Sequence, residues 1–189
     1  MCGYGSVGKG VSTRARGLGG IVTVTETNSH RALEAHMDGF MVKRLIDAVG
    51  EGDIFITCTG QINVIRKEHI NKMKNGSILV NAGHFDTEID TKYLKSNCDD
   101  RYLVRRYLEC FRIGGKKVYL LSSGRVVNLV GSEGNAPEVM AMSFANQLLS
   151  LIYICRNHQN MKKAVYDVPS EIDDYVALTC LLYTSPSPR

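Results

Sequence analysis

The sequence predicts an α/β fold built on a doubly wound parallel sheet, and three observations carry that expectation. Short β-branched runs alternate with stretches of helical character through the first half of the chain. Each run is bounded by Gly, Asp or Asn, as strands buried on both faces tend to be. A glycine-rich string, Gly3-Tyr4-Gly5-Ser6-Val7-Gly8, heads the first helical stretch, where such sheets place a tight strand-to-helix turn.

In chain order, Gly8 to Leu18 reads as the first helix, closed by Gly17, Gly19 and Gly20. Ile21-Val22-Thr23-Val24-Thr25 reads as a buried strand and His30 to Met37 as a helix. Asp53 to Thr57 and Ser77 to Asn81 read as further strands, with a helix at Lys67 to Lys74 between them. The pattern changes after Asp99. Tyr102 to Ile113, Val118 to Ser122 and Val126 to Leu129 read as strands, with turns at Gly114-Gly115 and Ser122-Ser123-Gly124. Pro137 opens a long apolar helix, Glu138 to Cys155, with the proline in its first turn. Asn157 to Lys163 is a polar link. A last helix, Ser170 to Leu182, takes Ser170 as its cap, three residues before Asp173.

The expected organisation is a sheet domain over residues 1–133, a hinge and helical segment over 134–182, and a disordered tail over 183–189. Only Met1-Cys2 precede the glycine string, where a full strand is expected. The first strand is therefore read as truncated, and the chain as starting inside a longer protein.

Composition narrows the function classes. The 189 residues carry a net charge of +4 and the basic pairs Arg105-Arg106, Lys116-Lys117 and Lys162-Lys163 are scattered, so no nucleic-acid partner is expected. Six cysteines, at 2, 58, 98, 110, 155 and 180, form no Cys-x-x-Cys pair, so no metal site is expected. With no signal-peptide pattern at the start, reduced thiols and a cytoplasmic location are expected. The longest apolar run, Leu148 to Cys155, is too short to cross a bilayer.

Gly3, Gly5 and Gly8 fit G-x-G-x-x-G. The first glycine makes the tight turn, the second lets backbone approach a pyrophosphate, and the third lets helix and strand pack closely. The helix that follows offers free N–H groups and the positive end of its dipole to phosphate. Glu26 ends the second strand 18 residues past Gly8, near the spacing of about 20 for a ribose-binding carboxylate. A carboxylate there accepts from ribose hydroxyls and repels a 2′-phosphate, so NAD is favoured over NADP. The competing reading is a structural glycine turn beside a surface glutamate. A P-loop is a near miss, because Gly10 stands where Ser or Thr must hold Mg²⁺.

Later strings are more specific. Asp53-Ile54-Phe55-Ile56-Thr57-Cys58-Thr59-Gly60 and Asn81-Ala82-Gly83-His84-Phe85-Asp86 each end a strand in a small polar turn. Met37-Asp38-Gly39-Phe40, Gly124-Arg125-Val126-Val127-Asn128-Leu129, Gly134 to Met140 and Ser143-Phe144-Ala145-Asn146-Gln147 complete the set. In this order, from Gly3 to about Leu181, they closely resemble the S-adenosylhomocysteine hydrolase family.

The resemblance implies a Rossmann domain holding NAD⁺ tightly. It implies reversible cleavage of S-adenosylhomocysteine to adenosine and homocysteine. NAD⁺ takes hydride from the ribose 3′ carbon, the 3′-ketone acidifies the 4′ hydrogen, homocysteine is eliminated, water adds, and the ketone is reduced again. It further implies a homotetramer. Gly3, Gly5 and Gly8, with Ser6 and Val7 between them, match the pyrophosphate turn, and Glu26 the ribose carboxylate. Arg31 matches a contact on the adenosine side. Thr57 and Thr59 match the turn beside the nicotinamide ribose, with Cys58 between them read as a packed side chain rather than a nucleophile. Asn81 and Gly83 match the next nicotinamide-side loop, Asn128 a partner of the nicotinamide amide, and His84 a catalytic histidine where substrate ribose meets cofactor. His30, His36, His69 and His158 are read as surface residues, and Lys9 as a surface charge at the helix start.

Two departures qualify the resemblance. Gly134-Asn135-Ala136 stands where the family has Gly-His-Pro, and Asn135 does not titrate near neutrality. The family's substrate domain, with its acid–base residues, has no counterpart in these residues, so the chain alone is expected to be inactive. The long helix packs on that domain in the family, leaving Met140, Met142, Phe144, Leu148, Leu149, Leu151 and Ile152 in need of cover. The rival readings are a non-catalytic NAD-binding interaction module and an ordinary NAD dehydrogenase. The second would want an Arg and a His–carboxylate pair that the Asn81–Asp86 string does not provide.

Overall fold

The computed structural model describes residues 1–184. The chain divides into two compact units between Gly134 and Asn135.

In the first unit, α1 (Ser6–Gly17) follows the glycine string directly. Its end is closed as the glycine cluster predicts: Leu18 N–H reaches Arg14, and Gly19, at φ +87°, reaches Arg16. β1 (Thr23–Val24), α2 (Ser29–Met37) and β2 (Met41–Val42) follow, with β1 and β2 paired in parallel. Asn28 caps α2 by accepting from Arg31 N–H at 3.1 Å. The short α3 (Leu45–Ala48) leads to β3 (Ile54–Thr57), α4 (Lys67–Lys72), β4 (Ser77–Asn81) and α5 (Thr91–Asn97).

β5 (Asp100–Arg105), β6 (Leu108–Ile113) and β7 (Lys116–Leu121) complete a five-stranded sheet of order β3-β4-β7-β6-β5. β3, β4 and β7 run parallel, whereas β6 and β5 add an antiparallel edge. The expected parallel sheet is thus a mixed one, a common elaboration of doubly wound folds. Its core is Phe55, Ile65, Ile70, Leu79, Phe111 and Leu120 with their neighbours. A smaller cluster, Tyr4, Val24, Ala35 and Phe40, fixes the glycine string against β1 and α2.

The two sheets are joined through the first three residues. Cys2 bridges Thr25 on one side and Thr57 on the other, both in parallel. Cys2 N–H donates to Ile56, Gly3 N–H to Thr25 and Cys58 N–H to Cys2. Met1–Gly3 is therefore a strand stub between β1 and β3, which places the glycine string at the centre of the sheet.

Four local expectations fail in this first unit. Ile21 is 99% exposed rather than buried, because β1 begins only at Thr23, whose carbonyl accepts from Met1 N. The stretch from Tyr102 to Ile113 is a hairpin, turning at Arg106-Tyr107 with Tyr107 at φ +66°. Val126 to Leu129 is not a strand. Val126 makes one bridge to Asn81, and the chain then coils into α6 (Val127–Val130). His69 is buried, and its Nδ1 accepts from Arg66 N–H at 3.1 Å to cap α4.

The second unit contains α7 (Pro137–Asn157) and α8 (Ser170–Thr184). The carbonyl of Pro169, not the side chain of Ser170, receives the first N–H groups of α8, from Ile172 and Asp173. Asn146 of α7 donates to Asp173 of α8 at 2.6 Å. Because α8 reaches Thr184, residues 183 and 184 are helical rather than disordered, and the rest of the expected tail lies outside the described residues. Val139, Phe144, Leu148 and Leu151 are exposed. By length and composition, Pro137–Asn160 is the one stretch among the described residues that passes as a membrane span. The run-length reading missed it because Ser143, Asn146, Gln147 and Ser150 interrupt the apolar residues.

Candidate functional site

The carboxyl ends of β1, the Met1–Gly3 stub, β3 and β4 lie side by side, because Thr25, Cys2, Thr57 and Asn81 stand in register across them. The chain therefore leaves the sheet along one edge at Glu26, Gly3, Cys58 and Ala82. The connections after the stub and after β3 run to opposite sides, so this edge is a switch point, where open α/β sheets bind ligands.

At its centre the glycine string has a backbone that only glycine supports. Gly3 lies at φ +102°. A Cβ on Gly8 would stand 2.1 Å from the Gly3 carbonyl oxygen, so helix and stub touch backbone to backbone. Gly5 is the cap of α1 and brings no side chain to it. Ser6 and Val7 are exposed, and the first turn holds no acidic residue. The first N–H groups of that turn have no partner within the helix and no acidic side chain of their own turn beside them.

Glu26 is half-buried beside the string. Its Oε2 accepts from Tyr4 N–H at 2.8 Å, and its Oε1 from Thr27 and Asn28 N–H at 2.8 and 2.9 Å. Burial pushes its pKa up, but the backbone donors and Arg31 outweigh burial and hold it below the usual value. With one bond on Oε2, a lone pair remains for a hydroxyl donor. The contact with Tyr4 gives Glu26 a second role in bracing the turn, which motif spacing did not reveal.

Arg31 is exposed on the first turn of α2, with its guanidinium 3.8 Å from where a Gly5 Cβ would stand. Lys9 pairs with Glu34 at 2.5 Å. These residues, with Tyr4 and Thr13, line an open basin of about 720 Å³. The basin runs along α1 and α2 and does not reach Thr57, Asn81 or His84, so it covers only the glycine-string side of the switch point.

Across the switch point, Thr57 and Asn81 are buried, and Thr57 Oγ1 donates to Asn81 Oδ1 at 3.2 Å. The same oxygen accepts from Gly83 N–H at 2.7 Å, while Asn81 Nδ2 donates to the carbonyls of Phe85 and Gly124 at 2.7 and 2.9 Å. All four hydrogen-bonding places of this amide are filled, so its side chain ties β4 to the loop beyond it and to Gly124. Cys58 points its thiol at the carbonyls of Cys2 and Gly3. Burial, then Glu88, pushes its pKa up to about 12, which suits a packed thiol and not a nucleophile.

Thr59 and Gly83 are organised by a residue that the sequence reading passed over. Glu88 is fully buried and accepts from Thr59 N–H, Thr59 Oγ1 and Gly60 N–H. No motif spacing marks it. His84 is exposed, edge-on to Phe85 at 4.8 Å. Asn128 reaches this region through α6, and its carbonyl accepts from Gly134 N–H. The structure therefore gathers the glycine string, Glu26, Thr57, Cys58, Thr59, Asn81 and Gly83 along one edge. Arg31, His84 and Asn128 stand at its margins.

A parallel sheet with a switch point, a glycine turn capping an open helix start and a carboxylate on the neighbouring strand define a dinucleotide-binding domain. These residues fit NAD: the helix start is open to a pyrophosphate, and Glu26 keeps a free acceptor. Residues 1–134 match the model of the S-adenosyl-L-homocysteine hydrolase NAD binding domain, and the chain belongs to that family.

Adenosylhomocysteinase from Archaeoglobus fulgidus is 51% identical over 94% of this chain and 44% of its own length. Adenosylhomocysteinase from Sulfurisphaera tokodaii is 52% identical over 94% of this chain and 43% of its own. S-inosyl-L-homocysteine hydrolase from Methanocaldococcus jannaschii is equally similar, 52% over 94% and 43%. The chain thus spans less than half the length of these relatives. Among solved structures, dipicolinate synthase A chain from Bacillus subtilis shares the fold, with a TM-score of 0.58 and 17% identity over 83% of this chain and 45% of that one.

Proposed function

We propose that this chain supplies the NAD site of an enzyme that reversibly cleaves S-adenosylhomocysteine into adenosine and homocysteine. The observation that carries the reading is Glu26, a low-pKa carboxylate with a spare acceptor beside an uncapped helix start. Bound NAD⁺ supplies reversible oxidation of the substrate ribose. The protein's share is to seat the pyrophosphate on Gly3–Gly8, fix the adenosine ribose through Glu26 with Arg31 beside it, and shape the nicotinamide side with Thr57, Thr59, Gly83 and Asn128. His84, exposed at the same edge, is the catalytic candidate. The 189 residues alone bind cofactor without turning substrate over. Homotetramer assembly and a cytoplasmic location belong to the same reading.

NADH fluorescence titration tests the cofactor assignment. Glu26→Ala is expected to weaken binding by about 1.5–3 kcal/mol, the worth of a charged hydrogen bond, and an unchanged affinity removes the ribose role. Incubation with S-adenosylhomocysteine or its inosyl analogue and a thiol reagent is expected to give no signal. Turnover by this chain would overturn the assignment of proton transfer to residues outside it.

A further inference from the structure

We propose that Glu88 is a positioning residue whose buried carboxylate holds the Thr57–Gly60 loop in the shape that receives the nicotinamide half of the cofactor, a role that rests on the NAD reading above. Glu88 is 0% exposed. A buried carboxylate is costly unless its oxygens are satisfied, and here loop donors satisfy both. Oε2 accepts from Thr59 N–H at 2.9 Å and Thr59 Oγ1 at 2.8 Å, and Oε1 accepts from Gly60 N–H at 2.9 Å. Thr59 Oγ1, fixed in this way, accepts from Gln61 N–H at 3.0 Å, which closes the turn.

The same carboxylate governs the neighbouring loop. A Cβ on Gly83 would stand 1.7 Å from Glu88 Oε1 and 3.1 Å from Asn81 Oδ1. The loop after β4 must therefore carry glycine at 83 for Glu88 to reach the loop after β3. The backbone of Glu88 is anchored as well: its carbonyl accepts from Ile65 N–H at 3.0 Å, and the Thr87 carbonyl accepts from Asn63 N–H at 2.8 Å. One side chain thus couples the two loops that flank the nicotinamide side of the switch point. It is backed by a rigid segment and stands behind the loop rather than at its open face.

Glu88→Gln keeps the shape but replaces one acceptor oxygen with an NH₂, which must face either the Thr59 donors or Gly60 N–H. The test follows amide hydrogen exchange and NADH binding on the full chain. Exchange at Thr59 and Gly60 is expected to accelerate at least about tenfold, with Leu79 and Val118 in the core still protected, and NADH affinity is expected to fall about tenfold. Gly83→Ala displaces the Glu88 side chain without altering it and should reproduce the defect, so it carries the test if Glu88→Gln does not fold. Adding Glu88→Asp to Gly83→Ala retracts the carboxylate and should recover part of the lost affinity, which a purely structural role would not do. Unchanged NADH affinity in Glu88→Gln, or unchanged exchange at Thr59 and Gly60, overturns the proposal alone. A wild-type chain that binds no NADH overturns the NAD reading as well.

Discussion

The Cβ that Gly8 lacks would stand 2.1 Å from the carbonyl oxygen of Gly3. That contact makes the start of α1 and the Met1–Gly3 stub a single backbone unit. In Gly8→Ala the helix must back away from the stub, at a cost of about 1–3 kcal/mol for overpacking. At roughly 2–4 °C per kcal/mol for a chain of this size, the loss is readable by thermal melting, and the displaced N–H groups should cost NADH affinity too. Gly10→Ala is the control, since nothing lies within 4 Å of its Cβ position and alanine favours a helix interior. Equal melting temperatures for the two variants would contradict the close packing.

Asn81 should matter to stability before it matters to cofactor. Its amide fills four hydrogen bonds, two of them donated to the carbonyls of Phe85 and Gly124. Asn81→Asp sets an acceptor against those carbonyls in a buried place. Unsatisfied buried groups cost about 1–3 kcal/mol each, and more when charged. The expected result is a large fall in melting temperature in the absence of NAD. A variant that melts like wild type yet loses NADH would instead make the side chain a direct ligand.

What was legible in the sequence followed from local chemistry. The Gly114-Gly115 turn, with both residues at positive φ, and the strands from Ile54 and Ser77 stand where turn residues and β-branched runs put them. What was not legible depended on tertiary contact. Val126-Val127-Asn128-Leu129 has strand composition, but only Val126 finds a partner, Asn81, before the chain coils. The hairpin at Arg106-Tyr107 has no glycine or asparagine, and Tyr107 adopts positive φ because β5 and β6 pair on either side of it. At the site, the residue types were readable and their use was not. Asn81 is consumed internally, Glu26 also braces Tyr4, and the burial of Glu88 is set by loops that meet only in the folded chain.

Acid should loosen this molecule in two stages. His69 is held below its ordinary 6.5 by burial, with Glu68 opposing. The unfolded chain therefore takes up this proton first. The contribution of His69 is complete above about pH 6.5 and is lost as pH falls below it. Glu26 and Glu109 are held below their ordinary 4.5. Burial opposes ionisation at both, and it is outweighed by backbone donors at Glu26 and by Ser123 and Arg101 at Glu109. Their contribution is present above about 4.5 and is lost as pH falls through their folded values. Denaturant midpoints taken from pH 7.5 to 3.5 should fall in both windows, and His69→Gln should flatten only the upper one. A curve flat down to pH 4.5 in the wild type would contradict the buried, neutral state of His69.

The helical unit should associate. Phe144, Leu148 and Leu151 on α7 and Leu178 and Leu181 on α8 are each more than half exposed. Apolar surface on this scale marks an interaction face rather than a solvated one, and each Å² removed from water is worth about 25 cal/mol. The same composition makes α7 long and apolar enough for a membrane, but Asn146 is bonded to Asp173 and Gln147 to Ser143, which a lipid-facing helix would not favour. Protein cover is therefore expected, supplied in dilute buffer by second copies of the chain. Light scattering should show mass rising with concentration, and Leu148→Glu with Leu151→Glu should return the chain toward a monomer. A clean wild-type monomer at high concentration, or flotation with neutral lipid vesicles, would contradict this account of the helix.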